Sequence, residues 1–399
     1  MLGFFVLIAL IIKNHIMIRL MILLLGIPFV MQGQNSIKCS TSEINKKYFE
    51  EHPEARKERE WLNKKSRLAE LNKTSESTSI TIPIVFHVND ATNPQKVTLA
   101  QVQSAVDILN EDFNALNPEF NSLRTEFQSI AADIEINFCL AAIDPDGNTT
   151  SGVTYHYNDY NGREPNGSGG AVKSVSVWPC DKYLNVWVVN KVEDDNDLYW
   201  SGWAFYPSKS LANQGLDGIV YNHRYLGYGE GSSDVSGPAS WQAKMARVLT
   251  HEVGHYLNLM HTFNDNCNAP DDEVSDTPPL LSSTGDCQQL GPFCSGVTIV
   301  NDENYMDYSP CPSMFTEGQK TRVLTTLNST VGYRSNLWST SNLIAVGCQT
   351  VTAVHPEMIN NRALLKIIDI LGRDTKPTAD KPLFYIYDDG TVEKKIIIE

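Results

Sequence analysis

One stretch constrains the chain more than any other: residues 251–261 read His-Glu-Val-Gly-His-Tyr-Leu-Asn-Leu-Met-His. On a helix, His251 and His255 lie slightly more than one turn apart, so both imidazoles point to the same side. They can then bind one Zn²⁺ ion, with Glu252 beside them and one coordination position open for water. Glu252 is placed to take a proton from that water and to deliver it later to a leaving amine. A helix with satisfied surface histidines is the alternative.

A third histidine extends the pattern. His261 follows His255 by six residues and reaches the same side only if the chain turns sharply between them. Such a turn requires a positive φ at residue 258, where the extended zinc-protease pattern has glycine. This chain has Asn258, and asparagine is the next most tolerant residue type for the left-handed region. We therefore predict that the turn forms.

Composition sets the broad class. The chain has 399 residues, and 32 Lys and Arg against 47 Asp and Glu give a net charge of -15. Such an acidic chain lacks the basic surface that phosphate groups require, which argues against nucleic acid as a partner. The length allows two or three structural units. Eight cysteines without a Cys-X-X-Cys pair fit an exported, disulfide-bonded protein rather than a cysteine zinc ribbon.

The N-terminus has the pattern of a secretion signal. Residues 20–30 are apolar and follow Arg19, which predicts a signal peptide over residues 1–34 with translation starting at Met17. A membrane hairpin anchor that includes the apolar run 2–12 is the alternative.

A polar region separates this signal from the rest of the chain. Residues 35–78 are dominated by charged side chains with sparse apolar contacts, and they end in an exposed linker rich in Ser and Thr. The pattern predicts a helical pro-segment ahead of a catalytic domain over residues 79–348.

Within the catalytic domain, helix and strand patterns alternate. Thr98 and Gln101 predict the start of an amphipathic helix, with its apolar face formed by Val102, Val106, Leu109, Phe113 and Leu116. Apolar runs predict strands at 80–88, 134–142, 183–189 and 218–221, and a second long helix at 241–257. The order predicts an α/β sheet.

The Asn-Tyr-Met-Asp-Tyr run at residues 304–308 adds a second motif. With the histidine motif and Asp276-Thr277-Pro278, it makes residues 80–348 resemble the metzincin metalloproteases, and within them the ulilysin-like members of the pappalysin family. The resemblance implies an α+β (α/β) fold, with a twisted, mostly parallel sheet, an active-site helix and a lower subdomain. It implies three zinc ligands, a base, a residue in the Met-containing turn and a hydroxyl donor to the intermediate: His251, His255 and His261, then Glu252, Met306 and Tyr308.

The same resemblance implies a cross-linked insert between the third histidine and Met306. Its pairs are Cys267 with Cys294 and Cys287 with Cys311, although sequence alone does not exclude other pairings. Outside the insert, Cys139 and Cys180 each stand at the end of a strand-like stretch, which makes them a plausible remaining pair.

Inside the insert, residues 271–277 hold four carboxylates. Hard oxygen ligands at this density suit Ca²⁺, and related proteins carry structural calcium near this place. The predicted ligands are Asp272, the carbonyl of Val274, and Thr277. A solvated acidic loop is the alternative.

Cys39 lies ahead of the linker, within the predicted pro-segment. Proenzymes similar to this one have a Cys-Gly pair whose thiolate takes the open zinc position, and here Ser40 replaces the glycine. A zinc-bound thiolate is chemically sound because Zn²⁺ favours sulfur. A structural disulfide, for example with Cys348, is the alternative.

The C-terminal region, residues 349–399, has a different texture. Two alternating runs around Asp388-Asp389-Gly390 predict a β-hairpin. The region resembles the sorting tail of type IX secretion substrates, which implies the secretion machinery as a partner. A last hairpin of the main domain is the alternative.

Together these features predict a secreted zinc endopeptidase, made as a latent precursor, that acts as a monomer on protein or peptide substrates and is secreted or associated with the cell surface. The rival hypotheses are a non-proteolytic adhesion or binding protein on the same scaffold, and a membrane-anchored sheddase. Related enzymes have an acidic pair after the Met-containing turn that selects basic residues. Residues 309–311 here are Ser-Pro-Cys, so that specificity is not carried over.

Overall fold

The computed structural model describes residues 38–72, 80–162, 169–192, 200–228, 246–268, 272–285, 287–288, 293–349, 364–378, 381–387 and 392–396. The predicted signal peptide, the linker at 73–79 and the first residues of the second predicted helix, 241–245, lie outside this part.

Helices and strands are numbered here in chain order within the described residues. The helices are α1 Thr41–Glu51, α2 Pro53–Asn72, α3 Leu99–Phe113, α4 Thr125–Gln128, α5 Gly170–Ser176, α6 Lys209–Asn213, α7 Val248–Tyr256, α8 Glu317–Leu327, α9 Arg334–Leu337 and α10 Thr340–Ala345. The strands are β1 Lys38–Cys39, β2 Ile80–Asn89, β3 Ala131–Ala132, β4 Ile136–Leu140, β5 Val153–His156, β6 Leu184–Val189, β7 Trp200–Ala204, β8 Ile219–Asn222, β9 Phe315–Thr316, β10 Leu364–Ile368, β11 Pro382–Tyr387 and β12 Val392–Ile396.

A seven-stranded sheet organises the main body. Its strand order is β1-β7-β8-β6-β2-β4, and β5 also pairs with β2. Every pair is parallel except β7 with β8. The inner strands β2, β6 and β8 are buried along nearly their whole length, as parallel strands are when both faces are covered. The predicted α/β fold with a mostly parallel sheet is confirmed.

Helix α3 packs against β4 and α7. Its first turn is capped by Thr98, whose hydroxyl accepts a hydrogen bond from the backbone N–H of Gln101 at 3.2 Å. The helix ends at Phe113, and Ala115 has a positive φ of 51°. Leu116, predicted to lie on the apolar face, is therefore beyond the helix and is exposed.

Residues 38–72, here called the cover segment, add β1, α1 and α2 to one edge of the sheet. Cys39 in β1 pairs with Gly202 of the neighbouring strand β7. The amide of Asn45 donates to the carbonyl of Ala204 and accepts from the N–H of Tyr206, each at 2.9 Å, which fixes α1 beside the end of β7. Helix α2 packs along α8.

Two disulfides cross-link the insert after the third histidine. They join Cys267 to Cys294 and Cys287 to Cys311, the pairs that the resemblance implied. Cross-links that close loops of this length stabilise a fold by roughly 3 kcal/mol in the chain-entropy model.

A third disulfide corrects the sequence prediction. Cys139 is bonded to Cys348, so the predicted Cys139 to Cys180 pair is wrong, and so is a Cys39 to Cys348 bond. The physical reason is the strand order: β2 lies between β4, which carries Cys139, and β6, which Cys180 precedes. Cys180 is a buried free thiol.

The C-terminal strands β10, β11 and β12 form their own antiparallel sheet. The predicted hairpin strands are present as β11 and β12, with Leu383 opposite Lys395, whereas the turn residues 388–390 lie outside the described residues. Within the described residues, no helix combines the length and apolar character needed to cross a membrane.

Candidate metal centre

Helix α7 and the chain that follows it bring three histidines together. Nε2 of His255 lies 3.1 Å from Nε2 of His251 and 3.1 Å from Nε2 of His261. All three side chains are buried. The ligand atoms of these histidines and of Cys39 all lie within 4.8 Å of one another. The structure therefore places four potential zinc ligands at one point.

Two backbone carbonyls fix the orientation of the first two imidazoles. Nδ1 of His251 donates to the carbonyl of Tyr305 at 2.7 Å, and Nδ1 of His255 donates to the carbonyl of Leu259 at 2.8 Å. Since a carbonyl only accepts, each of these rings is left with a lone pair on Nε2 when it is neutral. This arrangement is the usual one for histidines that bind a metal through Nε2.

The charge state of the site agrees with that arrangement. Burial lowers the pKa of His251 to about 4 and lowers the pKa of His255 and His261 well below the usual value. Neutral rings whose lone pairs converge at 3.1 Å repel one another unless a cation lies between them. The donor set therefore fits Zn²⁺, which binds neutral imidazole nitrogen.

The turn that carries His261 back to the site forms at Asn258, as predicted. Asn258 has a positive φ of 74°. Nε of the buried Arg322, in α8, donates to the carbonyl of Asn258 at 2.6 Å and so braces the turn. Asparagine thus adopts here the backbone conformation for which the extended motif has glycine.

Met306 lies fully buried against α7. A Cβ atom on Gly254 would stand 2.5 Å from Sδ of Met306, closer than packed atoms allow. Glycine within the motif therefore lets the turn at Met306 approach the helix between its two histidines.

Glu252 and Cys39 face each other at the site. The Cys39 thiol donates to Oε2 of Glu252 at 3.3 Å, and the Ser201 hydroxyl lies 3.5 Å from Oε1. Burial raises the pKa of Glu252 to about 8, and burial together with the Glu252 carboxylate raises the pKa of the Cys39 thiol. A bound Zn²⁺ opposes both shifts, because a cation favours the carboxylate and the thiolate.

Tyr308 reaches the same point from the other side. Its hydroxyl lies 3.1 Å from Nε2 of His261, donates to the carbonyl of Cys39 at 3.0 Å and accepts from the N–H of Cys39 at 3.2 Å. The cover segment therefore engages this hydroxyl both as a donor and as an acceptor beside His261.

The predicted calcium ligands also lie close together. Oδ1 of Asp272 accepts from the N–H of Val274 at 3.1 Å and from the Thr277 hydroxyl at 2.7 Å. The same hydroxyl lies 3.1 Å from the carbonyl of Val274. Glu70 of α2 accepts from the hydroxyl and the N–H of Ser275, so the cover segment contacts this acidic loop.

Local sequence patterns do not reveal which groups hold the histidines in place. Tyr305 lies in the Asn-Tyr-Met-Asp-Tyr run, but its carbonyl, which holds His251, has no signal in the sequence. Behind it lies Asp112, whose sequence signal is a carboxylate between Leu109 and Phe113 on an apolar helix.

Comparison with known proteins shows that this region is similar to metalloproteases, as its motifs indicate. Residues 170–328 match the family model described as pregnancy-associated plasma protein-A, the pappalysins. Extracellular metalloprotease 1 of Coccidioides posadasii is 42% identical over 94 residues, which are 23% of this chain and 34% of that protein. The matched region is thus about a third of the length of this relative and of a second one, an extracellular metalloprotease of Arthroderma otae. An extracellular metalloprotease of Arthroderma gypseum is 26% identical over 254 residues, 62% of this chain and 72% of that protein.

Two solved structures from Tannerella forsythia are also similar. Mature mirolysin in complex with a cleaved peptide has a TM-score of 0.56 and 29% identity, over 68% of this chain and 98% of that chain. A promirolysin mutant has a TM-score of 0.60 and 28% identity, over 76% of this chain and 96% of that chain. Both curated relatives are named extracellular metalloproteases.

Proposed function

Since this chain belongs to the pappalysin family of metzincin zinc metalloproteases, we propose that it is a secreted endopeptidase made as a latent precursor. The observation that carries the proposal is the convergence of three neutral histidines beside a buried glutamate. A binding or adhesion protein would not require Glu252 next to the metal ligands.

His251, His255 and His261 would hold the zinc through Nε2. When bound, the metal polarises a water molecule and the scissile carbonyl. Glu252 accepts the proton of that water on its carboxylate and delivers it to the nitrogen of the leaving amine. Met306 packs against α7 at Gly254, between His251 and His255.

Tyr308 completes the machinery. Its hydroxyl, close to His261, donates a hydrogen bond to the substrate oxygen as negative charge develops there. In the precursor this hydroxyl is engaged by the backbone of Cys39. The cover segment therefore has to leave before Tyr308 can act.

Latency resides in the cover segment, which is the larger part of a pro-segment over residues 35–78, with the catalytic domain at 79–348. In the latent form the Cys39 thiolate would hold the zinc as a fourth ligand and would leave no position for water. Support comes from its place within 4.8 Å of the three histidines. The matched share of this chain also rises from 68% for mature mirolysin to 76% for promirolysin, a gain about the size of the cover segment.

Regions on both sides of the catalytic domain serve export. Residues 1–34 are a signal peptide, and the tail at 349–399 directs the chain to secretion machinery. The enzyme acts as a monomer on peptide substrates, some of it at the cell surface. Mature mirolysin was solved with a cleaved peptide, which supports this substrate class. Structural Ca²⁺ binds at Asp272, the carbonyl of Val274, and Thr277, supported by their close oxygens.

The test is Glu252→Gln in the processed enzyme. It should retain zinc, because all three imidazoles remain, and lose peptide hydrolysis by about 10²- to 10⁴-fold. Metal analysis and a casein assay measure the two properties. Zinc-loaded wild type that cleaves no peptide would favour a binding protein instead, and a variant within tenfold of wild type would remove Glu252 as the base.

A further inference from the structure

Asp112 is an acidic residue buried in the apolar core, where charged side chains are rare. It lies in α3 among residues that pack into the core, and it is 2% exposed. Burying an ionised carboxylate is costly unless hydrogen bonds and a positive charge compensate. The contacts of Asp112 therefore indicate what the fold gains from keeping it there.

Three donors from two other elements converge on this carboxylate. Oδ2 accepts from the Thr250 hydroxyl at 2.6 Å, and Oδ1 accepts from the Tyr305 hydroxyl at 2.8 Å. Nε of Arg247 lies 3.3 Å from Oδ1, and its Nη2 lies 2.8 Å from Glu119 at the surface. Asp112 thus ties α3 to the first turn of α7 and to the Met-containing turn.

Both tied elements meet at one zinc ligand. Thr250 immediately precedes His251, and the backbone carbonyl of Tyr305 accepts from Nδ1 of His251 at 2.7 Å. The carboxylate holds the Tyr305 side chain at one end while the carbonyl of the same residue holds the imidazole at the other. Movement of Asp112 would therefore shift both the helix that carries His251 and the acceptor that orients its ring.

We propose that Asp112 is a positioning residue for the metal centre, which sets the orientation of His251 through Thr250 and Tyr305. This inference rests on the proposed zinc site but adds a residue that touches neither metal nor substrate. Groups that orient metal ligands from behind typically change metal affinity by 10- to 100-fold when removed. We expect a loss of that size here.

The experiment measures zinc affinity in the processed enzyme by competition with a chromogenic chelator. Asp112→Asn keeps the shape but removes the charge, and Tyr305→Phe removes only the hydroxyl while leaving the carbonyl that holds His251. Asp90→Asn is the matched control. Asp90 is also a buried carboxylate, paired with Lys96 at 2.7 Å, and its described contacts involve neither α7 nor the Met-containing turn.

Zinc binding at least tenfold weaker in Asp112→Asn and Tyr305→Phe, with the control unchanged, is the expected result. Equal weakening in all three variants, or affinities within threefold of wild type in the first two, would overturn the proposal. If Asp112→Asn fails to fold, Tyr305→Phe decides alone. Wild type that binds no zinc would instead reject the proposed zinc site itself.

Discussion

Two helices beside the metal centre differ sharply in how they are held. In α7, eight of nine residues are buried. In α2 of the cover segment, three of 20 are buried. The first helix belongs to the core, whereas the second packs one face along α8 and the surface of the main body, with contacts such as Arg59 over the Tyr206 ring at 3.6 Å and the amide of Asn63 with Arg322 at 2.5 Å.

The difference explains how a latent precursor can be activated without unfolding. Removing the cover segment would uncover Tyr206 and Arg322 and would take apolar side chains out of a second buried cluster, but the apolar cluster around α7 contains no residue of the cover segment. Helix α7, in contrast, cannot be disturbed without disturbing the histidines. We therefore expect that proteolysis can remove the cover segment while the carbonyls that hold His251 and His255 stay in place, although His261 then loses the Ser42 hydroxyl, 3.0 Å from its Nδ1.

A pair of matched substitutions tests this difference between α7 and α2. Leu62 in α2 and Leu257 after α7 are both fully buried. Leu257→Ala should lower the free energy of unfolding of both precursor and processed enzyme by about 2–5 kcal/mol. Leu62→Ala should act on the precursor alone, by weakening the docking of the cover segment. Urea unfolding and hydrogen exchange of the two forms measure this, and an equal loss of global stability in the precursor would contradict it.

A pH series should show that the core side, and not α2, carries the buried acids. Burial raises the pKa of Asp307 to about 7, above its ordinary value of 3.8. The folded state then binds the proton more tightly than the unfolded state, so stability falls as pH rises from about 4 to 7. Asp307→Asn in the processed enzyme should remove about 1 to 4 kcal/mol of that fall. An unchanged slope in unfolding free energy against pH would count against the shift.

Calcium removal should give the smallest effect. A calcium-selective chelator should lower the melting temperature of the processed enzyme by roughly 2–4 °C per kcal/mol of lost binding free energy. Asp272→Asn should already have the lower melting temperature and should not respond to the chelator. If wild type does not respond either, the hydrogen bonds of Asp272 with Val274 and Thr277 hold the loop without calcium.

The metal centre could be predicted from sequence because its chemistry is local. His251, Glu252 and His255 are close in the chain, and the need for a positive φ at Asn258 follows from the spacing to His261. The buried parallel strands could also be predicted, because a long apolar run is a local feature of the sequence.

Features that depend on the three-dimensional arrangement could not be predicted from the sequence. Strand β7, Trp-Ser-Gly-Trp-Ala, contains three small residues and lacks a long apolar run. The Cys139 to Cys348 disulfide spans 209 residues and depends on the order of strands in the sheet. The carboxylate of Asp112 acquires its role only when α3 meets α7 and Tyr305, which no local pattern encodes.

We propose that the cover segment closes the metal centre through Cys39. Precursor in which cobalt(II) replaces zinc provides the most direct measurement, because a cobalt-bound thiolate absorbs in the near ultraviolet whereas imidazole and water ligands do not. We predict this band in the intact precursor, and its loss both in Cys39→Ala and after removal of residues 35–78. A cobalt-loaded precursor without the band, or a band that survives in Cys39→Ala, would contradict the account.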